Sequence, residues 1–122
     1  MSKSTFLFDT YAILEIIEGN DAYEPYLDAE IVINDFVFAE LCHRLMRENV
    51  TGADEMIEKY VPFIAHADPE TIKEAMVFRI KNKEKNMSMT DCISYVMAKK
   101  LRIKFLTGDK EFEKLPQVEF IK

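Results

Sequence analysis

The 122 residues carry 16 Lys or Arg against 22 Asp or Glu, a formal charge of −6, and 48% are hydrophobic. Such a chain is expected to form a single domain, 1–122, with enough apolar content for a core and too much for disorder. The acidity excludes a protein that coats nucleic acid by bulk charge, though not a nuclease whose acids gather in one place; with no apolar run near the roughly 18 residues of a membrane span and no signal pattern, a cytoplasmic protein is expected.

Thr5-Phe6-Leu7-Phe8 is continuously apolar after its first residue, the pattern of a strand buried on both faces, and Ile31-Val32-Ile33 reads the same way. Residues 35 to 48 place Val37, Leu41 and Leu45 four apart, a helix that Thr51-Gly52 ends. Residues 52 to 60 predict another helix with Ala53, Met56, Ile57 and Tyr60 inward, and Phe63-Ile64-Ala65 is a weaker strand candidate. Asp68-Pro69 supplies an N-cap and a first-turn proline for a helix that uses Ile72, Met76 and Ile80 and dissolves into the charged run Lys81 to Lys85, read as a solvated stretch. A last long helix spans about Thr90 to Leu101, followed by a strand at Ile103 to Leu106 and an alternating edge strand at Val118 to Ile121. Alternating strand and helix with two-sided burial specifies an α/β fold, a parallel sheet of four to five strands wrapped by helices.

Ligands of such sheets bind beyond the carboxyl ends of the strands. Asp9 directly follows Phe8, Asp109 comes three residues after Leu106, Glu40 borders the apolar stripe of its helix, and Asp91 opens the last long helix. Each has a local explanation. Asp9 is placed to cap the helix starting near Thr10, Ser88-x-x-Asp91 matches a capping box, Glu40 suits a solvated helix face, and Asp109 after Gly108 suits a turn. Local capping does not explain why all four should meet at one sheet edge. Two carboxylates about 4 Å apart repel by about 4 kcal/mol at an effective dielectric of 20, so four together call for a cation. Oxygen ligands with open positions suit Mg²⁺ or Mn²⁺, which bind through few carboxylates plus a substrate phosphate.

Taken in order, strand-Asp9-Thr10, Phe38-Ala39-Glu40-Leu41, Thr90-Asp91 and Leu106-Thr107-Gly108-Asp109-Lys110-Glu111-Phe112 resemble a PIN domain over essentially the whole chain, and most of all the VapC-type ribonuclease toxins. That resemblance implies a Rossmann-like sheet, Mg²⁺- or Mn²⁺-dependent hydrolysis of RNA with one or two ions, homodimerisation, and inhibition by a cognate antitoxin. Carried over by position, Asp9, Glu40, Asp91 and Asp109 are the catalytic and metal-binding acids, with Thr10 and Thr107 as supporting hydroxyls. Glu40 would bind metal directly or orient its waters. Arg44, Arg47 and Lys110 are candidate RNA contacts, and Lys99, Lys100, Arg102 and Lys104 form a further cluster equally suited to a solvated helix end.

The remaining chemistry-bearing residues point elsewhere. Cys42 and Cys92 are not a CxxC pair and read as reduced core thiols, and His43 and His66 lack partners at zinc-site offsets. Tyr11, Tyr23 and Tyr26 sit beside the expected cleft, where packing is favoured over base stacking. A receiver domain would need paired acids after its first strand, and a haloacid-dehalogenase-like phosphatase an Asp-x-Asp; Thr10 and Tyr11 follow Asp9 instead. A PIN-fold module that binds partners without cleaving is the alternative from another class.

Overall fold

The computed structural model describes residues 3–122. Its first strand, β1 (Thr5–Phe8), runs into helix α1 (Thr10–Glu18), a 3₁₀ turn at Asp21–Tyr26 and strand β2 (Glu30–Val32). Four helices follow: α2 (Asp35–Arg47), α3 (Ala53–Tyr60), α4 (Pro69–Lys81) and α5 (Met89–Leu101). The chain then returns as β3 (Lys104–Thr107), a 3₁₀ turn at Lys110–Phe112 and β4 (Val118–Phe120).

All three strand pairs are parallel, and the spatial order is β2-β1-β3-β4, with Leu7 opposite Val32 on one side and Phe105 on the other. The chain thus builds outward from β1 to β2 and then crosses to β3 on the opposite side. The order reverses between β1 and β3, where a parallel sheet opens its crevice.

Alternation along the central strands splits the core between the two faces. Leu7 and Phe105 join Tyr95, Val96 and Phe112 on the α4–α5 side, whereas Phe8 and Leu106 join Ile13, Ile33, Val37 and Leu41 on the α1–α2 side. This two-sided covering explains the uninterrupted apolar run of β1. β2 lies at the sheet edge and is only half-buried, yet Ile31 packs on the α1–α2 side and Val32 on the α4–α5 side, so its apolar run also serves both faces.

The predicted fifth strand at Phe63-Ile64-Ala65 contracts to a single parallel bridge between Ile64 and Ile33. Pro62 lies in the 3₁₀ turn Val61–Phe63, which consumes Phe63 and leaves one residue extended enough to pair. The sheet therefore has four strands. Helix starts follow the sequence closely: the side chains of Asp9, Asn34, Asp68 and Ser88 cap α1, α2, α4 and α5. No helix among the described residues is long and apolar enough to cross a membrane.

Candidate active site

Asp9 leaves β1 at the point where the sheet opens, and its backbone N–H donates to the Leu106 carbonyl of β3 at 3.1 Å. Its carboxylate is almost fully buried. Oδ1 accepts from the Ala12 N–H at 2.8 Å, which is the cap of α1, and Oδ2 accepts a short hydrogen bond from the Thr107 hydroxyl. Thr107 in turn accepts from the Asp109 N–H at 3.0 Å, and Asp109 Oδ1 caps the next 3₁₀ turn through the Glu111 N–H at 2.9 Å. On the other side, Thr10 donates to Glu40 Oε1 at 2.7 Å, tying α1 to α2. Both hydroxyls suspected from the sequence are therefore engaged with acids.

Gly108 is required in this turn by space and not by backbone conformation. A Cβ there would stand 2.2 Å from the Tyr11 ring and 2.7 Å from the Ile121 carbonyl. Tyr11 thus packs on the turn, Tyr23 donates to the Ile121 carbonyl at 2.5 Å, and Tyr26 donates to Glu119 at 2.6 Å. The tyrosines brace β4 against the start of the chain.

Asp91 enters from α5, where Ser88 caps the helix by accepting from the Asp91 N–H at 3.0 Å. Capping and convergence coexist: the local roles of Asp9 and Asp91 are real, and both acids also feel the other two. Burial, followed by the charges of Asp109 and Glu40, raises Asp9 from 3.8 to about 7 against the pull of Thr107 and Ala12. Burial, then the charges of Asp9, Asp109 and Glu40, raises Asp91 to about 8, partly offset by Ser88. All four predicted acids therefore share one electrostatic environment at the β1/β3 opening.

They do not form a finished cage. Among the described residues no three His, Cys, Asp or Glu side chains close around a common point. The donor set consists of hard carboxylate oxygens, two of which, on Asp9 and Asp91, have their proton affinity raised chiefly by burial, and that chemistry fits a divalent cation of the Mg²⁺ or Mn²⁺ kind.

A residue that the sequence reading passed over sits behind the acids. Asn34, fully buried, accepts from the Phe36 and Val37 N–H groups through Oδ1 and donates through Nδ2 to Ser94 Oγ at 3.1 Å. One amide thereby couples α2, which carries Glu40, to α5, which carries Asp91. Its capping half is visible as Asn at the end of an apolar run; its link to Ser94 depends on tertiary packing.

Arg44 and Arg47 line a groove of about 350 Å³ between α1 and α2 that begins at Thr10 and Glu40. Arg44 Nε pairs with Glu48 at 2.5 Å, and Arg47 reaches the same carboxylate at 3.5 Å. Lys110 is exposed beside Asp109. Cys42 and Cys92 are unpaired thiols, with Cys92 buried.

No curated protein matches the sequence. Solved structures do. A toxin–antitoxin complex from Klebsiella pneumoniae superposes with a TM-score of 0.76 at 18% identity, covering 93% of this chain and 95% of that one. VapC20 of Mycobacterium tuberculosis, described as a sarcin–ricin loop cleaving toxin, gives 0.73 at 15% identity over 95% and 99%. VapBC2 from Rickettsia felis, bound to a DNA fragment of its promoter, gives 0.73 at 15% identity over 96% and 97%. Identities this low speak to the fold. The PIN domain family matches residues 6–118, nearly the full length. The chain belongs to the PIN domain family.

Proposed function

We propose that this chain is a divalent-metal-dependent ribonuclease, the toxin of a type II toxin–antitoxin pair, folded as a single domain over residues 1–122. In that reading it works in the cytoplasm as a homodimer and is held in check by a cognate antitoxin. The observation that carries the catalytic part is the convergence of Asp9, Glu40, Asp91 and Asp109 at the β1/β3 opening, where burial first and then the neighbouring charges raise Asp9 to about 7 and Asp91 to about 8. Capping alone gives no reason to maintain such repulsion. The toxin part draws on structural neighbours described as toxins and toxin–antitoxin complexes.

Asp9, Asp91 and Asp109 would hold one or two Mg²⁺ or Mn²⁺ ions, with Glu40 as a direct ligand or an orienter of water. Bound there, a divalent ion supplies Lewis acidity toward a phosphodiester and lowers the pKa of water. The chain's own groups do the positioning. Thr107 fixes one oxygen of Asp9 and the start of the Asp109 turn, while Thr10 fixes Glu40. Burial of Asp9 restricts competing solvent.

Purified protein should cleave single-stranded or structured RNA with Mg²⁺ or Mn²⁺ and not in excess chelator. Asp9→Asn or Asp91→Asn should lower the rate by about 100-fold or more, since transition-state stabilisation of several kcal/mol is lost and each 1.4 kcal/mol is tenfold. Asn caps helices as well as Asp does, so the circular dichroism spectrum should not change. Undiminished cleavage by these variants, or in chelator, rejects the mechanism. Absence of cleavage by the parent protein with its fold intact leaves the non-cleaving PIN-fold module as the better reading.

A further inference from the structure

The charged run after α4 reads in sequence as solvated surface, yet the structure fastens it to the acid centre. Arg79 Nε donates to the Met87 carbonyl at 2.9 Å, just ahead of the α5 cap. Lys85 Nζ reaches the Glu111 carbonyl at 3.5 Å, and the Asn86 N–H donates to Glu111 Oε1 at 3.1 Å. Glu111 belongs to the turn that Asp109 caps. The end of α4 therefore borders both the Asp109 turn and the start of the Asp91 helix.

There Arg79, Lys83, Lys85 and the exposed Ile80 line a pocket of about 250 Å³ to which no carboxylate contributes. Glu84 interrupts the run but does not line it. Among the described residues none of the three cations makes an ion pair, and the side-chain hydrogen bonds of Arg79 and Lys85 go to backbone carbonyls. The charge of Arg79 is felt at Cys92, next to Asp91. The groove on the opposite flank differs: Glu15, Glu18 and Glu40 line it, and its two arginines share Glu48. In a chain of net charge −6, uncompensated cations concentrated beside a carboxylate centre attract a polyanion that the molecule as a whole repels.

We propose that Arg79, Lys83 and Lys85 form a binding site for the phosphodiester backbone of single-stranded RNA, gripping phosphates that flank the one at the acid centre. This rests on the ribonuclease reading above. A strand passing the Asp109 turn runs onto this pocket, and Ile80 offers its ribose or base an apolar contact. An acidic peptide would satisfy the cations too, but it has no chemical reason to continue from the acid centre.

The test uses Lys83→Gln/Lys85→Gln, which spares the Arg79 bond to Met87 and the Asn86 N–H bond that ties this run to Glu111, against Lys59→Gln/Lys73→Gln as a charge-matched control. Binding of a fluorescent single-stranded RNA is followed by anisotropy over a salt series on an Asp91→Asn background, which keeps the RNA intact. Hydrolysis of a small aryl phosphodiester with Mn²⁺ is measured in the otherwise unmodified chain. The expected result is about tenfold weaker RNA binding at low salt and a salt slope shallower by about 1.4, from about 0.7 per lost cation. The control should bind as the parent does, and all forms should hydrolyse the small diester equally. Unchanged RNA affinity, an equal loss in the control, no measurable binding by the parent, or a loss confined to polyglutamate binding would each overturn the site. If the parent fails to hydrolyse the small diester, the nuclease reading falls, whereas anisotropy still decides the pocket.

Discussion

At the level of single residues the centre is defined by carboxylates that fold into each other's field at a cost. Asp9 and Asp91 rise from 3.8 to about 7 and about 8 on folding, so between about pH 4 and 8 the folded chain holds more protons than the unfolded one. Stability must then fall as pH rises through that window, the reverse of what a salt-bridged carboxylate gives. In chelator the melting temperature should drop steadily from pH 5 to 8.5, Asp91→Asn should flatten the decline, and Mg²⁺ should restore more stability at pH 8 than at pH 5. A melting temperature that rises over this range would contradict the electrostatic description. These acids were legible in sequence because each stands at a strand end or helix start. Their raised proton affinity was not, because it depends on burial that no local pattern reports.

Secondary elements are aligned by contacts between residues far apart in the chain. Asn34 caps α2 and holds Ser94 of α5. Asn34→Ala removes a cap and strands a buried hydroxyl, which should cost about 2–4 kcal/mol in denaturant unfolding, and Asn34→Ser should recover about 1 by restoring the cap alone. Equal destabilisation by both variants would show that the bridge to Ser94 carries the whole effect. Helix bounds came close from periodicity and caps: Asp68-Pro69 starts α4, and the Thr90 to Leu101 expectation misses only the first residue of α5, Met89. The failures were tertiary. Ile64 pairs only once because of the turn at Pro62, and the tie from Lys85 to Glu111 joins segments whose local sequence says only that they are charged.

On the scale of the whole molecule, two apolar clusters share one sheet, with neighbouring residues of the same strand serving opposite sides. Leu7 and Leu106 are both fully buried, one in each cluster. Leu7→Ala and Leu106→Ala should each cost about 2–5 kcal/mol and shift a single unfolding transition, coincident by far-ultraviolet dichroism and tyrosine fluorescence. Two separable transitions would mean that the layers fold independently. The sheet also recruits its acids from four places: the end of β1, the middle of α2, the start of α5 and the turn after β3. Asp9 and Asp109 stand near opposite ends of the chain. A translation product that stops before Asp109, or a proteolytic piece that has lost Asp9, therefore lacks part of the quartet, so the acid centre is complete only once synthesis has passed both.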